Sequence, residues 1–255
     1  MRSMLLTTLA FSAALAFLAG CATAEPEMES PADITVAELE TKMRHAMDPD
    51  GRYAKAKTFI QRQIVLTERF LDDPEEQVAE VKFERPDNFR LTTLEDNVPV
   101  TGLIVNGKNG WVVDYSGKKI TELTPEQLDQ LKVLSGTSNP DNSLTRALRD
   151  IRLTLCRVGE QEYYKVTGLS QNGGNPVEIY IDKNDFLIRR IKAVFQIGAR
   201  SLRYDSTIQR YSLYEGVMIP AETTVVQNGL KQTTRVVYYK LDAVIPASDF
   251  RPPVL

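Results

Sequence analysis

Few residues in this chain are of a type that could make or break bonds. His45 is the single histidine; it lies between Arg44 and Ala46, with no cysteine near it in sequence. A Ser–His–Asp triad or a tetrahedral metal site would have to be built on it, and a histidine at a helix surface or end is the better reading. Asp72-Asp73 and Glu75-Glu76 have the composition of a two-carboxylate or cation site. They flank Pro74 in what reads as a turn, where acids are normally solvated. Glu178, Asp182 and Asp185 lack the spacing of a calcium loop. Gly173-Gly174 lacks both the following Lys-Ser/Thr and the strand-to-helix context of a phosphate loop. Arg146, Arg149, Arg152 and Arg157 could meet anionic head groups, or simply solvate one face. No nucleophile–base–orienter set emerges, so the expectation is a protein without catalytic residues, metal or cofactor.

Cys21 is the residue with the clearest chemistry. Arg2 precedes an apolar run from Leu5 to Leu18, shorter than the ~20 residues a membrane-spanning helix needs and typical of a signal-peptide core. The run ends Leu18-Ala19-Gly20-Cys21, which resembles the bacterial lipobox. That resemblance implies cleavage before Cys21 and acylation of the cysteine; the alternative is an ordinary secretory signal that happens to end in Cys. Ala22, rather than Asp, after the cysteine looks like the sorting pattern for the outer membrane. The domain organisation expected is a signal peptide over 1–20, acylated Cys21 with a flexible tether over 21–33, and one folded domain over 34–255. Ala22 to Asp33 is acidic, holds two prolines and shows no periodicity; as a coil it reaches ~20 Å. The other of the two cysteines, Cys156, is then left as a buried thiol. A net charge of −3 gives no reason to expect nucleic acid.

The elements that would position a site are strands. The stretch Val78 to Tyr115 organises them: Ala79, Val81 and Phe83 alternate with Glu80, Lys82 and Glu84, the period of a half-buried strand. Arg85-Pro86-Asp87-Asn88, Asp96-Asn97 and Asn106-Gly107 are turns, and Trp111, Val113 and Tyr115 share one face of the next strand. Before this stretch, Thr35 and Glu38 form a capping box for a helix over 36–47 carrying Val36, Leu39, Met43 and Met47. Thr58 to Phe70 is a long strand. After it, Thr124-Pro125-Glu126-Gln127 and Asn139-Pro140 each open a helix, carrying Leu128, Leu131 and Leu134, then Leu144, Ala147 and Leu148. Strands resume from Arg152 to Val244. The fold class expected is mostly β (α+β): one antiparallel sheet of about eleven strands, curled into an incomplete barrel because twist accumulates and one apolar face needs cover. The N-terminal helix and the two-helix mid-chain insert would act as its lid or plug.

In this order the pieces resemble the LolA/LolB superfamily of bacterial lipoprotein carriers and receptors, with related lipid-binding lipoproteins. Carrying the likeness are Val81-Lys82-Phe83-Glu84-Arg85-Pro86-Asp87-Asn88-Phe89-Arg90-Leu91 and Val105-Asn106-Gly107-Lys108-Asn109-Gly110-Trp111. The helical insert, Ile181-Asp182, Leu187-Ile188-Arg189-Arg190 and Tyr214-Glu215-Gly216-Val217-Met218-Ile219-Pro220 complete it, over residues 34–252. The resemblance implies a half-barrel with a helical lid and an apolar hollow that shelters acyl chains, and no catalytic motif.

Candidates for the lining of such a hollow are Ile64, Leu66, Val81, Phe83, Phe89, Leu91, Ile104, Trp111 and Val113, the other reading being a plain packed core. Leu128, Leu131, Leu144 and Leu148 are candidates for the lid or for a permanent plug. The function expected is membrane-tethered periplasmic binding of lipid acyl chains or lipoproteins in outer-membrane sorting or transport. The partners would be the lipid or lipoprotein itself and the membrane, reached through Cys21. The alternative is a non-enzymatic interaction or sensor module that meets an envelope protein through its outer face.

Overall fold

The computed structural model describes residues 27–68, 74–128, 131, 143–171, 173–197 and 199–254. A single sheet of fourteen strands dominates it. The strands are β1 (Glu27–Pro31), β2 (Thr58–Glu68), β3 (Glu75–Glu84), β4 (Asn88–Glu95), β5 (Val98–Asn106), β6 (Asn109–Asp114) and β7 (Lys119–Glu122). They continue with β8 (Leu148–Val158), β9 (Gln161–Ser170), β10 (Pro176–Asp182), β11 (Ile188–Ile197), β12 (Arg200–Tyr214), β13 (Val217–Gln227) and β14 (Leu230–Leu241). The helices α1 (Val36–Met47), α2 (Arg52–Lys55) and α3 (Leu144–Ala147) accompany them, with a 3-10 turn at Ala247–Phe250.

The spatial order is β1-β8-β9-β10-β11-β12-β13-β14-β2-β3-β4-β5-β6-β7. Each neighbouring pair is antiparallel, as short hairpins demand. The sheet is open: β7 lies at one edge and β1 at the other, with β8 next to it. The chain that joins β7 to β8 therefore leaves from one side of the sheet and returns at the other. β14 lies between β13 and β2, so the last strand is the seam between two wings, β8–β13 and β2–β7.

Side-chain alternation gives every strand two faces, and the pairing register carries them across the sheet. On the face we call inner, α1 lies over the first wing. Its Leu39 and Met43 are fully buried against Val166, Ile179, Ile191 and Phe195. The capping box holds the start of α1: Glu38 Oε2 accepts from the Thr35 amide at 2.8 Å, and Thr35 Oγ1 accepts from the Glu38 amide at 3.3 Å. Asp48 ends α1 and starts α2, its carboxylate accepting from the Arg52 and Ala54 amides at 2.7 and 3.0 Å. Arg85, from the β3–β4 turn, donates to the Tyr53 and Ala56 carbonyls at 2.8 Å each, clamping the last turn of α2.

Several expectations are corrected here. The sheet has fourteen strands rather than about eleven. Residues 27–33, expected to belong to the tether, are part of the fold: Glu27–Pro31 pair with Thr154–Val158 as β1, and Asp33 accepts from the Tyr164 hydroxyl at 2.9 Å. Leu148 begins β8 instead of ending a helix; its partner across the sheet is Ser170. The helix expected after Thr124 is seen at 125–128 and at 131, while Leu134 and Asn139-Pro140 lie outside the described residues. Asp72 and Asp73 also lie outside them. Cys156 is the buried free thiol expected, and His45 is exposed in the last turn of α1.

Candidate functional site

The registers Phe59–Phe83–Phe89–Val105 and Gln61–Val81–Leu91–Leu103 run straight across β2 to β5 on the inner face. Phe59 links the rows to the seam and to α2. Its ring stacks on Phe83 at 5.1 Å and on Tyr239 at 5.3 Å, and lies 6.0 Å from Tyr53. Val81, Phe83, Phe89 and Leu91 are half-buried, unlike the fully covered Val166 and Ile179 of the first wing. The second wing thus presents an aromatic and aliphatic surface that α1 leaves partly open. At its far end Leu123 and Leu128 lie on Gly110, where a Cβ would meet both leucine methyls at 2.7 Å. The absent Cβ of Gly110 leaves the room that Leu123 and Leu128 fill on the inner face.

The alternation divides the candidate lining residues. Val81, Phe83, Phe89 and Leu91 come together on the inner face. Ile64, Leu66, Ile104, Trp111 and Val113 are carried to the outer face by the same registers: Ile104 pairs with Arg90 and Trp111, and Val113 lies opposite Gly102. Ile104 and Val113 are fully buried there, beneath a cover no sequence pattern announced. The segment after β14 folds back so that Phe250, also buried, lies over β4 and β5. Asp249 accepts from Lys82 at 2.9 Å, its carbonyl takes Arg90 at 3.0 Å, and Asn106 donates to the Phe250 carbonyl at 3.2 Å. Of the lid candidates, Leu144 and Leu148 belong to the core under α1, Leu128 lies on Gly110, and Leu131 is half-buried. Glu40 of α1 accepts from the Thr145 amide at 2.9 Å, tying α3 to α1. Phe59, Tyr53 and Tyr239, which stand beside Phe83 on this face, were not among the candidates; the pairing of Phe59 with Phe83 across β2 and β3 is not written in either strand alone.

A second cluster lies on the outer face of the first wing. Lys165 is 9% exposed and donates to Glu27 at 2.6 Å and Glu29 at 2.9 Å, both from β1. Glu27 also accepts from the Tyr180 hydroxyl at 2.9 Å. Burial alone would depress the Lys165 ammonium, but its bonds to the two carboxylates outweigh that and raise it above its ordinary value. Burial would push the Glu27 carboxyl up, and the bonds from Lys165 and Tyr180 reverse it, holding it low. Cys156 lies opposite Glu29 in the pairing, and burial together with the Glu27 charge pushes its thiol up. This is the chemistry of a clasp rather than a nucleophile, since a reactive cysteine needs a depressed pKa. Among the described residues no group of three or more His, Cys, Asp or Glu could hold a metal, and no helix is long and apolar enough to cross a membrane.

No family model matches the sequence, and no curated protein matches it. Solved structures do match the fold. A LolA superfamily protein from Nitrosomonas europaea superposes with a TM-score of 0.58 at 15% identity, covering 86% of this chain and 98% of that one. A DUF1329 family protein from Desulfovibrio piger gives 0.57 at 11% identity, over 85% and 95%. An outer membrane lipoprotein-sorting protein domain from Vibrio parahaemolyticus gives 0.56 at 11% identity, over 85% and 97%. The fold of this chain is LolA-like.

Proposed function

We propose that this protein binds the acyl chains of lipids or lipoproteins in the bacterial envelope, held to the periplasmic face of the outer membrane by acylated Cys21 after removal of residues 1–20. The observation that carries the reading is the half-buried aromatic face of β2 to β5, left partly open beside a first wing that α1 covers. Acyl chains on that face would leave water at ~25 cal/mol per Å² of apolar surface, with no bond chemistry involved. The LolA-like fold and the lipobox-like run before Cys21 support the same reading, as does the lipoprotein-sorting description of one structural neighbour. A second reading, an interaction module using the outer face, is favoured by Leu213, Val237 and Tyr238, which expose 65%, 52% and 45% of their surface on β12 and β14.

The test uses residues 25–255, which hold every described element, secreted and purified without detergent. Native mass spectrometry and organic extraction should find a lipid or acylated protein at near one-to-one ratio. Leu91→Glu, on the inner face, should abolish that cargo, whereas Trp111→Glu, on the outer face, should retain it. A folded protein that emerges empty and ignores added diacylated peptide would move the reading to the interaction module.

A further inference from the structure

The two faces of the same strands differ in one chemical respect. On the outer face of β2, β3, β13 and β14 charged pairs stand beside the neutral Thr224 and Thr233, whose hydroxyls lie 3.2 Å apart. Arg62 meets Glu80 at 2.9 Å, Lys231 meets Glu68 at 2.9 Å, and Glu222 lies 3.6 Å from Arg235. On the inner face the positions beyond the Phe59 row include the half-buried Gln61, Gln63, Gln77, Thr93, Thr223 and Thr234, with Val65 and Ala79 between them, and at the far end of β3 Gln77 donates to the exposed Glu75 carboxylate at 2.6 Å. Gln61 donates to Gln63 at 2.7 Å, which confirms that both point the same way. The hydroxyls of Thr93, Thr223 and Thr234 have no hydrogen-bond partner among the described residues. The inner surface is therefore graded along the strands. Its aromatic tier sits at the end where Phe59, stacked on Phe83, meets Tyr53 of α2; a tier of amides and hydroxyls follows, ending at Glu75. Half-buried polar groups retain hydrogen-bonding capacity that water or a ligand must satisfy. These positions hold no cation, and the carboxylate at their end is itself an anion, so nothing there offsets the desolvation of an anionic group.

Resting on the acyl-binding reading above, we propose that the neutral tier selects the head of the ligand: an uncharged hydrogen-bonding group such as a glyceride ester, hydroxyl or amide, in preference to an anionic phosphate. Acyl chains lie on Phe83, Phe89 and Leu91. The ester or amide region lies against Gln63, Thr93 and Thr234, which donate to its carbonyls and accept from its N–H or O–H groups. A phosphate brought to the same place would shed water against groups that neutralise no charge.

The experiment separates the head from the chains. Residues 25–255 are loaded with diphenylhexatriene, an uncharged apolar reporter that fluoresces on the inner face. It is then displaced with dioleoylglycerol or dioleoylphosphatidylglycerol, which have identical chains. The glyceride should displace at a concentration at least about tenfold lower, the factor for one modest unmet desolvation. Gln63→Lys should shrink or reverse that ratio by supplying the missing charge. Displacement by both lipids within about twofold of one another, with the reporter bound, would overturn the head selection and leave the acyl-binding reading standing. A folded protein that takes up no reporter would overturn both. If the double variant Gln63→Leu/Thr93→Val keeps the full preference, the tier is not its source and the proposal falls.

Discussion

Replacing Glu27 and Glu29 together by glutamine removes both carboxylates that hold the Lys165 ammonium, yet leaves the backbone pairing of β1 with β8 intact. The next carboxylate, Glu178, stands 3.8 Å away and is 41% exposed. Stranding one partner of a buried pair costs about 3–5 kcal/mol when the charge cannot escape. Here it can, because β1 is a five-residue strand at the edge of the sheet, and its departure returns Lys165 to water. The penalty should therefore appear as undocking of β1 rather than as global unfolding. Discounted for the partial exposure of both carboxylates, about 2 kcal/mol is a reasonable figure, or a ~30-fold rise in the undocked fraction. Cys156 reports it, being fully buried opposite Glu29, with its sulfur 4.0 Å from the Glu27 carboxylate. In residues 25–255 it is also the single thiol. Labelling with dithiodipyridine should run ~30-fold faster in the double variant, scaling with the undocked fraction, while far-UV circular dichroism stays nearly unchanged. Acid should act in the same direction. The folded Glu27 carboxyl titrates below its ordinary 4.5, so its contribution is present above that pH and is lost as pH falls through the depressed value. Equal labelling rates for parent and variant, at neutral pH and in acid, would refute the clasp.

Other consequences are simpler to measure. Leu39→Ala empties a fully buried site under α1 and should cost about 3 kcal/mol, lowering Tm by ~6–12 °C in a calorimetric scan. Gly110→Val drives a side chain into Leu123 and Leu128; it should cost about 1–3 kcal/mol in denaturant unfolding and raise proteolysis near residue 125, whereas Gly107→Ala, with open space around it but a φ of 60°, should show only backbone strain. Phe250→Ala empties a fully buried site over β4 and β5 and should cost about 3–4 kcal/mol, without the loss of lipid uptake that Leu91→Glu brings. Burial and the Asp33 carboxylate push the Tyr164 hydroxyl up to about 12 from an ordinary 10.0, so the stability it confers is complete below pH 10 and falls as pH climbs toward 12; a spectrophotometric titration of Asp33→Asn should show one tyrosine ionising earlier.

The architecture was legible wherever the signal was local. The capping box of Thr35 and Glu38 and the alternation through Val81 and Phe83 name their elements without help from the rest of the chain. What stayed hidden was non-local. Glu27-Met28-Glu29 reads as a solvated tether, because nothing in an acidic pentapeptide announces a buried lysine far along the chain. Ile104 and Trp111 read as lining because apolar alternation marks a covered face but does not say by what. Over β4 and β5 the cover is Phe250 and the segment after β14, whose Pro-containing run carries no strand or helix period. The assignment of Ile64, Leu66, Ile104, Trp111 and Val113 together with Phe83 failed to follow one parity through successive hairpins, and a one-residue difference moves a side chain to the opposite face.

The seam explains why both wings must be present before an inner face exists. β14 pairs Lys231–Leu241 with Phe59–Glu68, so a strand from the end of the chain closes on one from near its start. Such contacts pay a loop-closure cost that local hairpins do not. The wings can therefore form their own hairpins first, with α1 on β8–β13 and with β2–β5 as a meander, and the aromatic tier is completed only when Tyr239 arrives beside Phe59. Before that step Phe59, Phe83 and Phe89 face water with no opposing wing. A ligand that occupies the tier binds the joined state and not the separated wings, so it should stabilise the seam in proportion to RT ln(1 + [L]/Kd). Slower amide exchange along β14 and β2 than along β9 and β10 on adding dioleoylglycerol would place the ligand between the wings. Uniform slowing across the whole sheet would place its effect elsewhere.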